Sequence, residues 1–129
     1  MSQDPRDNRL RCSVLVEWDD HSFIIDTGPD FRQQMLRLGI KKLDGVLFTH
    51  EHKDHVAGLD DIRAFNYFMK KELPVYATPQ VQEALKREFP YIFDENPYPG
   101  VPQISLHNLS LEPFQLFNYT VVPVQAQHY

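Results

Sequence analysis

The run Gly45-Val46-Leu47-Phe48-Thr49 opens directly onto His50-Glu51-His52-Lys53-Asp54-His55, and no other feature limits the fold of this chain as tightly. A continuous apolar segment of strand length reads as a buried central strand, covered on both faces, of the kind found in parallel sheets. Such a strand delivers the next residues to its C-terminal end. Here those residues include three imidazoles and two carboxylates within six consecutive positions. Imidazole nitrogen and carboxylate oxygen are common ligands of zinc, and they serve manganese and iron as well. In an extended loop alternate residues point the same way, so the spacing predicts His50, His52 and Asp54 on one side. His55 then turns in from the start of a helix, and two neighbouring metal positions come within reach. The competing reading is a solvated connection in which Asp54 and His55 merely begin the helix; the density of histidines directly after an apolar strand favours metal.

The flanking pattern is mixed α and β. Cys12 to Trp18 and Ser22 to Asp26 read as a hairpin across Asp19-Asp20. After the turn cluster Thr27-Gly28-Pro29, Asp30 is the expected N-cap of a helix carrying Phe31, Met35 and Leu38, which Gly39 ends. From about Ala57 to Met69, helical spacing of Leu59, Ile62, Phe65 and Phe68 or Met69 predicts one amphipathic helix. Leu73 to Ala77 reads as a strand, and Thr78-Pro79 as the start of a helix with Val81, Leu85 and Phe89 on its apolar stripe. The proline-rich stretch from Pro90 to Pro102 suits a long surface loop. Beyond it, Ile104 and Leu106, Phe114 to Phe117 and Thr120 to Val124 return to β patterning. His21, in the hairpin turn, and His107, in a strand pattern, are expected to face solvent without a role.

Composition removes several classes of function. The formal net charge is −5 and the basic residues form no continuous stripe, which disfavours non-specific nucleic-acid binding. One phosphate-bearing substrate stays compatible, because a bound cation reverses the local field. Cys12 is the sole cysteine, so an intrachain disulfide is impossible, and a cytoplasmic location is expected. The first ten residues lack the apolar core of a signal peptide, and no apolar run reaches membrane-spanning length. No internal repeat or linker divides the chain.

The motif His-x-His-x-Asp-His after a threonine-ended strand resembles the signature of the metallo-β-lactamase superfamily. The longer string THEHKDHVAGLDDIRAFN resembles its phosphodiesterase-like branch, nearest the PhnP-type cyclic phosphodiesterases, with the pyrroloquinoline quinone biosynthesis protein B group and tRNase Z further off. The resemblance runs from the hairpin at Cys12 through Tyr129. It implies that His50, His52 and His128 ligate a first metal, and that Asp54 and His55 ligate a second. It also implies that Asp26 sits at a strand end beneath the ligands. A carboxylate there accepts the second ring N–H of a metal-bound imidazole and fixes its tautomer. Asp26 also reads as a turn-starting residue before Gly28-Pro29, and His128 as a residue of a frayed terminus.

The fold so implied is half of an αββα sandwich, a mixed β-sheet flanked by helices. Residues 1–129 are expected to form a truncated domain whose second half, with a bridging Asp and a final His, is absent. An uncovered apolar sheet face predicts a homodimer. For the complete protein the resemblance implies a metal-dependent hydrolase, with two divalent metals, zinc or else manganese or iron, and Asp54 acting in catalysis. The expected reaction is attack of a metal-bound hydroxide on a cyclic or linear small-molecule phosphodiester. Hydrolysis of thioesters or lactones, and a non-catalytic module holding one metal, are the alternatives. A binding face of Phe65, Tyr67, Phe68, Tyr91 and Phe93 ranks behind both, since aromatics at helical spacing are more often core.

Overall fold

A computed structural model describes residues 13–96 and 99–125, without the side chains of Lys53 and Asp54. His128 lies outside the described residues. Strands β1 (Val14–Trp18) and β2 (His21–Ile25) form the expected antiparallel hairpin. Asp19 and Asp20 take positive φ at its turn, a conformation that Asp tolerates better than most residues. β3 (Gly45–Leu47), β4 (Leu73–Ala77) and β5 (Ile104–Asn108) then add in parallel, giving one mixed sheet in the order β1-β2-β3-β4-β5.

Register assigns the two faces. Leu15, Ile24, Val46, Val75 and Leu106 are successive partners across the five strands and share one face. Helices cover that face. α1 (Phe31–Leu38) buries Phe31 and Met35, and α4 (Pro79–Glu88) buries Val81, Ala84 and Leu85. Between them, Leu59, Ile62 and Phe65 fill the core. Each such side chain, fully buried, contributes about 1.5–3 kcal/mol of transfer free energy. The other face carries aromatic rings, over which β6 (Phe114–Leu116) and β7 (Tyr119–Val121) lie as a separate antiparallel hairpin. Phe114 stacks on Tyr76 at 5.8 Å, Phe117 meets Phe23 edge-on at 5.9 Å, and Tyr119 meets Trp18 at 5.0 Å.

Four expectations need correction. Asp30 is the N-cap residue of α1 as expected, but its side chain makes no capping hydrogen bond; Phe31 N–H donates to the Gly28 carbonyl at 3.1 Å. The helix expected from Ala57 to Met69 is broken: α2 (Lys53–Val56) ends at Ala57-Gly58, a 3₁₀ turn runs over Leu59–Ile62, and α3 spans Arg63–Met69. Gly58, between α2 and the 3₁₀ turn, packs so closely on the Gly28 carbonyl and on Phe31 that a Cβ there would clash. The loop after β3 bends at Thr49 and α2 begins at Lys53, so Asp54 lies on a helix and not in extended alternation with His50 and His52. His21 is only partly exposed: its ring stacks on Phe117 at 3.7 Å, with Nδ1 3.8 Å from Asp44 Oδ2. His107 is exposed, with its ring stacked on Tyr76 at 5.1 Å.

Elsewhere the local chemistry matches the sequence. Gly39 ends α1 in the left-handed conformation (φ 66°), and its N–H donates to the Leu36 carbonyl. Thr78 caps α4, its hydroxyl accepting from Val81 N–H, with Pro79 at the first helical position. Of Phe68 and Met69, Met69 is the one that packs against the core, while Phe68 is exposed. Among the described residues, no helix is long and apolar enough to cross a membrane.

Candidate metal centre

Parallel pairing of β2 with β3 aligns Ile25 with Leu47, so the residues leaving both strands emerge side by side. Asp26 comes directly after β2 and donates its N–H to the Leu47 carbonyl at 2.9 Å. Phe48 extends the β3–β4 ladder through a 3.0 Å bond to the Tyr76 carbonyl, and Thr49 then leaves it. Two backbone bonds tie the next segment down. Thr27 N–H donates to the His55 carbonyl and Gly58 N–H donates to the Thr27 carbonyl, both at 2.8 Å. His50, His52 and His55 are thus gathered at the C-terminal end of the parallel strands, where open α/β sheets place their ligands.

Asp26 is the centre of this arrangement. It is 6% exposed, at a positive φ of 65°, and its carboxylate accepts three hydrogen bonds. Thr49 N–H donates to Oδ1 at 2.8 Å, and the Thr49 hydroxyl donates to Oδ2 at 2.6 Å. His55 Nδ1 lies 2.7 Å from the same Oδ2. A buried polar group needs such partners, and a buried carboxylate needs them most. Because an ionised carboxylate only accepts, His55 carries its proton on Nδ1, and Nε2 across the ring keeps its lone pair.

The rings converge. His50 and His55 centroids are 3.7 Å apart, and His50 and His52 are 4.6 Å apart, edge to face. Asp26, His50 and His55 each offer an atom of metal-ligand type, all within 4.8 Å of one another. With its oxygens already bound to Thr49 and His55, Asp26 is placed to hold a ligand and not to be one. His50 and His55 are the imidazoles of that group, with His52 edge-on to His50 beside it, and these nitrogen donors, one with its outer nitrogen fixed as an acceptor, fit a divalent-cation centre. The Asp54 side chain and His128 lie outside the described residues.

A groove of about 700 Å³ opens beside His50. Thr49, Glu51 and Gln80 give it a polar wall, while Leu47, Leu111 and Val121 give it an apolar one. Gln80 Nε2 donates to Glu51 Oε1 at 3.1 Å and holds that carboxylate against the start of α4. Sequence reasoning misses Thr49 and Gln80. For Thr49 the signal is its place, one residue before the first imidazole at a strand end; for Gln80 there is none, because its partner lies far away in the chain.

A family model for the beta-lactamase superfamily domain matches residues 21–129, a span that contains the whole histidine cluster. The chain belongs to this superfamily. A crystal structure of a diphosphatase from the PhnP family superposes with a TM-score of 0.83 at 42% identity, covering 95% of this chain and 46% of that one. The mixed five-stranded sheet with its helices therefore has the metallo-β-lactamase fold, and the resemblance to the PhnP family extends to sequence. An octanoyltransferase of Porphyromonas gingivalis is 44% identical over 98% of this chain and 26% of its own length. A ribonuclease Z of Pyrobaculum neutrophilum is 29% identical over 64% of this chain and 30% of its own. The superfamily member described here thus spans less than half the length of each of these proteins.

Proposed function

We propose that this superfamily member supplies the metal-binding part of a hydrolase that cleaves a cyclic or linear small-molecule phosphodiester. The observation that carries the reading is the convergence of His50, His52 and His55 on one edge of the sheet, with Asp26 fixing the His55 ring from behind. The likeness to a PhnP-family diphosphatase and to ribonuclease Z supports phosphorus–oxygen bond chemistry. Zinc is the proposed metal, with manganese or iron as alternatives that the same donors accommodate.

His50 and His52, with His128, would hold a first metal, and Asp54 and His55 a second. A divalent cation supplies Lewis acidity, which lowers the pKa of a water and withdraws electron density from the ester. The chain's own groups do the rest. Asp26 keeps His55 in one tautomer and orientation. Asp54 is the candidate to take the proton from the attacking water. The apolar wall of the groove excludes bulk water around the ester, and Thr49, Glu51 and Gln80 orient the polar part of the substrate. The acidic net charge favours a small substrate over a nucleic-acid backbone.

A second reading has one observation behind it. The relative named octanoyltransferase matches nearly the whole of this chain, and the apolar wall of the groove would suit an acyl group, so thioester hydrolysis is the rival chemistry. The test is metal content by plasma mass spectrometry together with turnover of bis-p-nitrophenyl phosphate and of an octanoyl thioester. A His50→Ala/His52→Ala double variant serves as control. Bound metal and phosphodiester turnover, both lost in the variant, are expected. Turnover of the thioester alone would overturn the phosphodiester reading, and a folded chain that takes up no metal would overturn both.

A further inference from the structure

The three contacts around Asp26 leave one more that they do not explain: Thr49 Oγ1 also lies 3.0 Å from His50 Nδ1. A threonine hydroxyl has one proton and two lone pairs. At 2.6 Å from Asp26 Oδ2 that proton must point at the carboxylate, since two oxygens so close with no proton between them would repel. The hydroxyl oxygen can then only accept from His50, so Nδ1 of His50 is the protonated nitrogen. We propose that Thr49 is a positioning residue, whose hydroxyl passes the tautomer preference of Asp26 on to His50. One buried carboxylate then sets two imidazoles at once, His55 by direct contact and His50 through Thr49, and leaves Nε2 of each as the ligating atom.

The proposal rests on the reading of His50 and His55 as metal ligands, but its first prediction does not. Thr49 is well placed for the task because its backbone N–H is also bound to Asp26, at 2.8 Å, so the hydroxyl swings on a fixed pivot. Its β-branched side chain has little rotamer freedom to lose, which makes the link stiff. His52, exposed and edge-on to His50, lies outside the relay.

The test uses two substitutions and two readouts. Thr49→Val keeps shape and branching and removes the hydroxyl, whereas Thr49→Ser keeps the hydroxyl. Long-range nitrogen–proton NMR of the metal-free chain reads each histidine tautomer directly. His50 is expected as Nδ1–H in the wild type and in Thr49→Ser, and as a mixture or as Nε2–H in Thr49→Val, with His55 unchanged throughout. Zinc affinity, measured by competition with a chelator, is expected to fall roughly 10–100-fold in Thr49→Val and to stay near wild type in Thr49→Ser. A wild-type His50 found as Nε2–H overturns the relay without any variant, even if Thr49→Val fails to fold. Equal zinc affinity in wild type and Thr49→Val, or equal loss in both variants, overturns it as well. A wild type that binds no zinc defeats the ligand reading alone, and the tautomer result then decides the relay separately.

Discussion

Replacing Gly58 by alanine tests how the loop carrying the cluster is held. At this position φ is −86°, so an L-residue is allowed and any cost is steric. A Cβ built there would lie 2.3 Å from the Gly28 carbonyl oxygen and 2.6 Å from Phe31 Cβ, neither of which can rotate away. Relief requires the Gly58 backbone to retreat by about 1 Å from the turn after β2. Overpacking of this kind costs about 1–3 kcal/mol. Retreat also stretches the bonds from Gly58 N–H to Thr27 and from Thr27 N–H to His55, each worth ~1 kcal/mol. The combined loss is roughly 2–4 kcal/mol, and with a urea slope near 2 kcal/mol/M the midpoint falls by about 1–2 M. Trp18, the single tryptophan, stacks on Phe23 and reports unfolding by fluorescence. Gly39→Ala is the matched control, since its φ of +66° makes alanine strained while nothing lies within 4 Å. That change costs about 1–2 kcal/mol from conformation alone. Zinc affinity should fall with Gly58→Ala and not with Gly39→Ala, because only the first displaces His55. A Gly58→Ala midpoint at or above that of Gly39→Ala would refute the packing argument.

Two further outcomes can be checked with the same preparations. Asp26→Ala strands the Thr49 and His55 donors and puts alanine at positive φ, so a loss of about 3–5 kcal/mol is expected in urea titration. Asp26→Asn keeps an acceptor and tolerates the backbone, so its loss should be clearly smaller, yet its amide faces His55 Nδ1 and should weaken zinc binding as much as alanine does. Tyr91 donates to Asp60 Oδ1 at 2.5 Å, and burial together with that carboxylate pushes the phenol up to about 12 from its usual 10. The folded state thus favours the protonated phenol: the stabilisation is complete below pH 10 and disappears as pH rises from 10 to about 12. Ultraviolet titration of tyrosinate should show a late phase that Tyr91→Phe removes, while Tyr76 and Tyr119, whose phenols are also raised, keep theirs.

How far the sequence reveals this molecule depends on the range of the interaction that fixes each part. Thr78-Pro79 marks the start of α4 because capping is decided within four residues, and Gly39 marks the end of α1 for the same reason. The histidines stand out through density alone. Local pattern fails where a distant atom decides. Periodicity from Leu59 to Met69 contains nothing about the close packing of Gly58 on the Gly28 carbonyl, and the composition around His21 contains nothing about Phe117, which stacks on it. Asp26 could be inferred through resemblance. Its partnership with Thr49 could not, because it depends on the parallel register of β2 and β3, which sets those two strand ends side by side.

The order of the strands bears on how the chain reaches this structure. The five strands of the sheet lie in chain order, so each strand, as it is synthesised, pairs with the one made just before it. Asp26, Thr49, His50, His52 and His55 all precede β4, and the helix connecting β2 to β3 lies between them. The whole hydrogen-bonded nest can therefore close while β4 and β5 are still being made. Short sequence separation of this kind lowers the entropy of closing the intervening loop and favours fast, vectorial folding. The geometry that holds the imidazoles is thus expected to be among the first parts of the domain to become fixed, ahead of the groove that β7 and the segments around it later line.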